Sequence, residues 1–310
     1  MLARADFFSF NCLSNSNFSP NVITDFHLSD DEASQLADEL KKQLLNGERI
    51  DTSEKNIQRI IAGLGDKRGL LRRTFSEYLG LIGESAIPAL RIALLRSSNV
   101  ITRRAAAKTF RLIGNPKALP DLLNALTNDE DPVVQASAAA SMAIFGQDAA
   151  KLLQTVLADP KRSSMQHGLA SWGLSFIGAA AAESIKKAAK SKNTRLRAAA
   201  IAALGDQIQS TNDKEAKDLV LSALKDQEPD VRIEATALLG KIDDPRWGSP
   251  VLRKMLNDRN QNVRKNAALS LMKLNDSDSI AELKKRAQIE ENENVIKIIK
   301  LAISQIKQNS

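Results

Sequence analysis

The sequence is poor in the residues around which catalytic and metal centres are usually built. Its single cysteine, Cys12, excludes a disulfide framework within the chain and a cysteine-based metal cluster, as is typical of a reducing compartment. The two histidines are far apart, and His27-Leu28 and His167-Gly168 lack the glutamate of a paired His-Glu metal ligand. No glycine-rich phosphate loop or Ser-His-Asp set is evident. We therefore predict no metal site, and nucleophilic catalysis has little support.

Long apolar runs are also missing. No stretch approaches the roughly 18–20 apolar residues that a membrane-spanning helix needs, so we predict no membrane span. Residues 1–27 lack the basic start and the long apolar middle of a secretion signal. We expect these residues to form a disordered tail of a cytoplasmic protein, with an organelle-targeting segment as the alternative.

Negative charge and aromatic residues are both in the minority. Lys and Arg number 44 against 37 Asp and Glu, which gives a net charge of +7. Such a chain attracts nucleic acid, a membrane surface or an acidic protein, and net charge alone does not choose among them. Two tryptophans and one tyrosine leave few side chains to stack on an extruded base, which disfavours nucleic acid as the partner.

A short helical phrase returns at intervals of about thirty-two residues, the period of a helical repeat array. We call its first position the index. An apolar residue stands three and seven positions after every index, and a glycine stands eleven positions after four of them, at Gly83, Gly114, Gly146 and Gly178. The index positions are Arg72, Arg103, Gln135, His167, Arg197, Arg232 and Arg264.

The repeat predicts an all-α solenoid of about seven repeats, each built from two antiparallel helices. We assign residues 66–277 to the array, residues 28–65 to N-terminal capping helices and residues 278–310 to C-terminal capping helices. An acidic residue stands six positions before several index residues, which predicts a structural polar ladder between repeats. These acidic residues are Asp66, Asp129, Asp226 and Asp258.

The stretch Asp230-Val231-Arg232, followed by Ala235 and Leu239-Gly240, resembles a HEAT repeat. Its short, alanine-rich form is similar to the PBS lyase HEAT-like repeats of cyanobacteria and red algae. The resemblance implies a right-handed superhelix that binds a phycobiliprotein subunit on its concave face, as a bilin lyase subunit or a chaperone. It further implies a bilin as substrate rather than as cofactor, and a second HEAT-repeat chain as a possible partner. The alternatives are a non-catalytic protein scaffold unrelated to pigments and a HEAT-like DNA-binding or glycosylase protein.

The fourth repeat departs most from the phrase, and this departure makes it the candidate binding region. His167 replaces the basic index residue, and Gly168 and Gly173 enter a helix interior, where each costs about 0.5–1 kcal/mol relative to alanine. Trp172 offers a flat face for a conjugated ring, and Gln166 belongs to the same stretch. The alternative is a tightly packed junction whose histidine bonds a backbone carbonyl.

Basic residues supply the remaining candidates for ligand or partner binding. A run without acidic residues follows Glu183, and it predicts either a solvated face or a rim that attracts an acidic protein or bilin propionates. Arginine doublets in two earlier repeats present similar charge near a helix start. The candidates are Lys186, Lys187, Lys190, Arg72 and Arg103.

Overall fold

The computed structural model describes residues 28–242 and 244–309, and within these ranges the chain is helical throughout, with no strand. Alanine and leucine, which dominate the apolar content, favour helix over strand. The first helices are α1 (Asp30–Leu45), α2 (Glu54–Gly63), α3 (Gly69–Ile82), α4 (Ile87–Arg96), α5 (Val100–Ile113), α6 (Leu119–Asn128), α7 (Pro132–Met142), α8 (Gly146–Ala158) and α9 (Ser164–Ile177). They are followed by α10 (Ala182–Ala188), α11 (Thr194–Ala202), α12 (Gly205–Thr211), α13 (Lys214–Ala223), α14 (Pro229–Leu239), α15 (Pro245–Met255), α16 (Gln261–Lys273), α17 (Ile280–Ile289) and α18 (Glu293–Gln308).

The helices stack in two layers, which confirms the predicted all-α solenoid. The index layer contains the seven helices that carry the repeated phrase, and each packs against the next one. These helices are α3, α5, α7, α9, α11, α14 and α16. The second layer is formed by the helices between them. Every residue three and seven positions after an index is fully buried, from Phe75 and Leu79 to Ala267 and Leu271, so the predicted apolar positions are the core.

The phase of the repeat differs from the predicted one by half a unit. The sequence predicts that each index helix pairs with the helix that follows it. In the structure the closest pairs join a second-layer helix to the index helix that follows, as in α4 with α5, α6 with α7 and α8 with α9. The predicted C-terminal cap continues this arrangement, because α17 pairs with α18 and α18 packs against α16.

A left-handed backbone ends most index helices. Gly83, Gly114, Gly146 and Gly178 have φ between 49° and 72°, so the glycine predicted eleven positions after the index is the residue that turns the chain. Asn275 holds the same position in the seventh repeat with a φ of 50°, which asparagine tolerates better than other side chains. Without these turns the index helices would run on instead of passing into the second layer.

Among the described residues, the stretch Gly69–Arg96 is apolar and long enough to pass a composition test for a membrane span. In the structure this stretch is α3 and α4, interrupted at Gly83, and its apolar side chains pack into both layers of the array. The apolar character of this stretch is therefore explained by the core.

Candidate functional site

A ladder of arginine–carboxylate pairs ties the index helices together. The index arginine of one repeat donates two hydrogen bonds to the acidic residue six positions before the next index. A third donor on the same guanidinium, Nη1, reaches the carbonyl oxygen six positions before its own index. The pairs are Arg103–Asp129 (2.9 and 3.2 Å), Arg197–Asp226 (2.7 and 2.9 Å), Arg232–Asp258 (2.8 and 3.0 Å) and Arg264–Glu290 (2.6 and 2.6 Å). The predicted ladder is therefore confirmed at Asp129, Asp226 and Asp258, and it is structural, whereas the carboxylate of Asp66 pairs with Arg68 of its own turn.

The ladder is interrupted on both sides of the fourth repeat. Gln135 replaces arginine in the third repeat and only reaches the carbonyl oxygen of Asp129, at 2.7 Å. His167 is buried, and its Nε2 lies 2.9 Å from the carbonyl oxygen of Asp159, so Nε2 donates to its own repeat. Neither side chain reaches a carboxylate of the following repeat. The index helices α7, α9 and α11 are therefore joined by packing without ladder pairs, and α3 and α5 are joined in the same way, since Arg72 forms no ion pair among the described residues.

A cavity of about 600 Å³ opens on the index layer at this interruption. It crosses α9, α11 and α14, and we call it the fourth-repeat cavity. Gly168 leaves it open, because a Cβ at that position would have no neighbour within 4 Å. Its polar lining includes Ser164, His167 and Ser171 from α9. Its charged lining is Arg195 from α11 with Asp230 and Glu234 from α14.

The three charged side chains of the fourth-repeat cavity have no partner among the described residues. Arg195, Asp230 and Glu234 make no side-chain hydrogen bond or ion pair there, although the neighbouring Arg197 is engaged by three oxygens. Asp230 and Glu234 are one turn apart on the same helix face. Arg195 and Asp230 are solvent-exposed and Glu234 is partly exposed, so all three side chains are accessible to a molecule bound in the cavity.

Glu234 differs electrostatically from the carboxylates of the ladder. Burial raises the pKa of Glu234 above its ordinary value of 4.5, the charge of Lys241 opposes this rise, and the Asp230 carboxylate adds to it. By contrast, hydrogen bonds from Arg197 lower the pKa of Asp226. Glu234 therefore holds a proton more readily than a solvated glutamate.

The anomalous residues of the fourth repeat separate into packing and cavity residues. Gln166 completes a capping box with Ser163 and donates to the carbonyl oxygen of Thr127 at 2.8 Å, so its role is structural. Gly173 packs tightly, since a Cβ there would lie 3.0 Å from Cδ1 of Leu153. His167 and Gly168 line the cavity.

Trp172 remains a candidate contact beside the cavity. Its side chain is exposed, and its ring meets that of Phe176 edge-on at 4.6 Å between centroids. It lies one turn after Gly168 on the same face of α9, although it does not line the fourth-repeat cavity itself. Its free ring face can therefore contact only a molecule that extends beyond the cavity.

The basic candidates are mostly engaged by carboxylates. Lys186 is buried against Glu183, Asp213 and Glu215, and Lys190 also contacts Glu215. Lys187 is exposed and has no ion pair among the described residues. Lys186 and Lys190 are therefore neutralised, whereas Lys187 is a free cation among the described residues of the same run.

The two arginine candidates of the earlier repeats belong to the index positions. Arg103 is in the ladder, and Nη1 of Arg72 donates to the carbonyl oxygen of Asp66 at 2.6 Å. The structure places both guanidinium groups between repeats rather than on a ligand surface.

Sequence reasoning missed the two carboxylates of the cavity, Asp230 and Glu234, whereas Arg195 belongs to the basic run that the sequence predicts as either a solvated face or a rim that attracts propionates. Asp230 and Glu234 lie more than sixty residues after His167 along the chain, so the sequence does not show that they are close to it. A signal was present in the register. Two positions after the index the other repeats carry small, hydroxyl, amide or apolar residues, and Glu234 is the one acidic residue there.

Comparison with known proteins agrees with the geometry. The family described as HEAT repeats matches residues 87–172, 181–247 and 220–304. The bilin biosynthesis protein MpeU of Synechococcus sp. (strain WH8020) is 44% identical over 233 residues, which cover 75% of this chain and 78% of that protein.

A solved structure shows the same solenoid fold. Importin beta aligns with 90% of this chain and 44% of its own at 12% identity, with a TM-score of 0.51. The complex of CpcE and CpcF of phycocyanin lyase from Nostoc sp. PCC7120 aligns with 84% of this chain and 96% of that chain at 21% identity, with a TM-score of 0.34.

Proposed function

The chain belongs to the PBS lyase HEAT-like repeat family, and on that premise we propose that it assists the attachment of a bilin to a phycobiliprotein subunit, with the bilin held in the fourth-repeat cavity. One observation carries the placement. The cavity gathers three charged side chains, Arg195, Asp230 and Glu234, that have no partner among the described residues. The volume of about 600 Å³ lies within the usual range for small-molecule sites.

The chemistry of a bilin complements these groups. A bilin is a linear tetrapyrrole with two propionate carboxylates and a row of pyrrole nitrogens. The guanidinium of Arg195 suits a propionate, because an arginine fork can donate two hydrogen bonds to a carboxylate. The carboxylates of Asp230 and Glu234 suit the pyrrole N–H groups. The missing side chain at Gly168 provides room for a ring beside α9.

The attachment step is an addition without redox change. The sulfur of an acceptor cysteine forms a bond to a carbon of an exocyclic double bond of the bilin, and the proton lost by the thiol is balanced by a proton gained on the tetrapyrrole. The solenoid contributes by holding the two reactants together, since proximity can supply much of the rate. In this proposal the carboxylate of Glu234 accepts the proton lost by the thiol and passes it to the bilin.

The test is co-expression with phycobiliprotein subunits and a bilin source, followed by measurement of pigment that stays on the acceptor after denaturation. Gly168→Leu fills the cavity from an open helix position, and we expect it to abolish attachment. Ala136→Leu makes the matched change one position after the index of the third repeat and should leave attachment unchanged. Normal attachment by Gly168→Leu would place the bilin elsewhere.

A second experiment tests the function itself. If the unmodified chain attaches a bilin to none of the subunits, alone or with a second HEAT-repeat chain from the same source, the proposed role is wrong. Attachment that appears only with the second chain would support the role and identify that chain as a required partner. Arg195→Ala and Glu234→Gln should each reduce attachment without changing the helical content.

A further inference from the structure

Exposed apolar side chains are concentrated on the first four repeats. Most of the large apolar residues that are exposed in the described part of the chain lie on the index helices or directly after them. The later index helices, α11, α14 and α16, carry none of these exposed residues. The members of this set are Leu70, Leu81, Leu112, Val133, Ile144, Met165, Trp172 and Phe176. Exposed apolar side chains clustered on one part of a folded chain often mark an interaction site.

Four of these side chains occupy the same register, nine positions after the index. We call Leu81, Leu112, Ile144 and Phe176 the apolar row; their exposed fractions are 57%, 51%, 45% and 65%. The first two helices of the row approach closely, since a Cβ on Gly80, next to Leu81, would lie 2.9 Å from Cβ of Leu112. With index helices packed about 8–10 Å apart, four members span about 30 Å.

The apolar row ends at the fourth repeat. The same register holds Asp206, Lys241 and Lys273 in the later repeats, and all three are exposed. Asp206 accepts a hydrogen bond from the backbone N–H of Ala179 at 3.0 Å, so a carboxylate stands directly after the last member. The packing of the repeats does not require an apolar residue in this register, because three repeats have a charged residue there. The row therefore has a purpose other than the packing of the solenoid.

Two unpaired cations lie beside Leu112 near the middle of the apolar row. Lys108 and Arg111 are exposed on α5 next to Leu112, and neither has an ion pair among the described residues. Other arginines on this surface are neutralised, because Arg73 contacts Glu77 and Arg104 contacts Asp131. The surface thus offers an apolar line with unpaired cations beside it, which complements an apolar stripe bordered by carboxylates.

We propose that the apolar row docks an amphipathic helix of the acceptor protein, with carboxylates beside its apolar stripe. This inference rests on the proposed function, because the acceptor is the subunit that receives the bilin. A helix of about 20 residues is 30 Å long and matches the row. Trp172, in contact with Phe176, lies between the end of the row and Gly168. A helix docked on the row therefore brings the acceptor to the mouth of the fourth-repeat cavity.

The experiment measures the affinity of the full chain for a bilin-free acceptor subunit by calorimetry. Leu112→Ser/Ile144→Ser should weaken binding at least about tenfold, since central apolar contacts dominate such interfaces. Leu45→Ser/Leu301→Ser removes two exposed leucines outside the row and is the matched control. Lys108→Glu/Arg111→Glu should also weaken binding and reduce its dependence on salt, whereas Lys187→Glu should not.

Two results would overturn the docking proposal. One is equal affinity of the row variant and its control for the acceptor. The other is a change in self-association of the row variant, seen by sedimentation, with unchanged acceptor binding, which would make the row a contact between two copies. Circular dichroism and thermal unfolding of each variant confirm that it is folded before binding is compared.

A separate titration with free bilin distinguishes this proposal from the proposed function. Gly168→Leu should lose bilin binding and keep acceptor binding, and the row variant should do the reverse. Absence of bilin binding by the unmodified chain, together with acceptor binding that depends on the row, would overturn the cavity assignment and support the docking surface.

Discussion

Arg232 shows what a single ladder residue contributes. Its guanidinium is buried, donates two hydrogen bonds to Asp258 of the next repeat and reaches two carbonyl oxygens of its own turn. Such a group holds two helices at a fixed distance and satisfies backbone oxygens at the same time. Arg73 is also paired, with Glu77, but both side chains are solvent-exposed.

We predict that Arg232→Met lowers the free energy of unfolding by about 3 kcal/mol, because it leaves the buried carboxylate of Asp258 without its partner. Methionine keeps the apolar part of the side chain, so the loss reports on the charge and its hydrogen bonds. Arg73→Met, the matched change at the surface, should cost less than about 1 kcal/mol. Urea denaturation of both variants checks this, and equal losses would contradict a structural ladder.

The raised pKa of Glu234 predicts how the stability of the chain depends on pH. Burial raises the folded-state pKa of Glu234 above 4.5, its ordinary value. At a pH between 4.5 and the folded-state pKa, the folded chain therefore binds more protons at Glu234 than the unfolded chain does. The effect of Glu234 on stability is therefore absent below pH 4.5 and becomes unfavourable as the pH rises through the folded-state pKa. Glu234→Gln should raise the melting temperature at pH 7 and have little effect below pH 4.5. Asp226→Asn, whose carboxyl pKa is lowered, should instead destabilise at pH 7.

At the scale of the element, α9 carries two interior glycines with different environments. Gly168 faces open space, whereas Gly173 lies against Leu153 and the carbonyl oxygen of Ala139. Sequence alone treats both as equal departures from the repeat, because periodicity identifies a helix but not what stands opposite each position. The structure assigns one glycine to the cavity and the other to packing between α9 and its neighbours.

We predict opposite effects of alanine at these two positions. Gly168→Ala should stabilise the chain by about 0.5–1 kcal/mol, because alanine favours the helix and its methyl group meets nothing. Gly173→Ala gains the same helix preference but forces its methyl group to within 3.0 Å of Cδ1 of Leu153, so it should be neutral or destabilising. Thermal unfolding of the two variants decides this. A larger gain for Gly173→Ala would mean that α9 is packed differently.

The predictability of helix ends has a local cause. Few residues other than glycine adopt a positive φ, so a glycine at a fixed position in the repeat indicates a left-handed turn. The helix ends at Gly83, Gly114, Gly146 and Gly178 can therefore be predicted from the sequence. Which helices pair most closely could not be predicted from the sequence in the same way. An index helix is equally close in sequence to the helix before it and the one after it, and only packing decides which contact is larger.

At the scale of the whole molecule, the repeat predicts the two layers and the ladder but not the fourth-repeat cavity. The ladder follows from Asp and Arg at fixed offsets, which recur in every well-formed junction. The cavity arises between helices whose lining residues, such as His167, Arg195 and Glu234, come from three repeats. Its position was indicated by the loss of arginine at two consecutive index positions, together with Gly168 and the acidic residue at Glu234.

The interruption of the ladder can be repaired, and the repair tests what it does. Ser191 stands six positions before Arg197 and accepts a hydrogen bond from the N–H of Asn193 at 3.1 Å. Asp226 and Asp258 make the equivalent contact in intact junctions, at 2.9 and 2.7 Å. His167→Arg/Ser191→Asp should therefore rebuild the missing pair between α9 and α11 without disturbing the turn.

We predict that this double variant is more stable than the unmodified chain by about 1 kcal/mol, while His167→Arg alone is destabilising because it buries an unpaired charge. The two single variants complete a double-mutant cycle, whose coupling energy isolates the new pair. Hydrogen exchange should show slower opening of α9, because in a repeat array stability depends on the contacts between neighbours. Additive single effects would mean that the fourth junction cannot accept the ladder geometry. A coupled, stabilised variant that attaches bilin more slowly would show that the gap in the ladder serves access to the cavity.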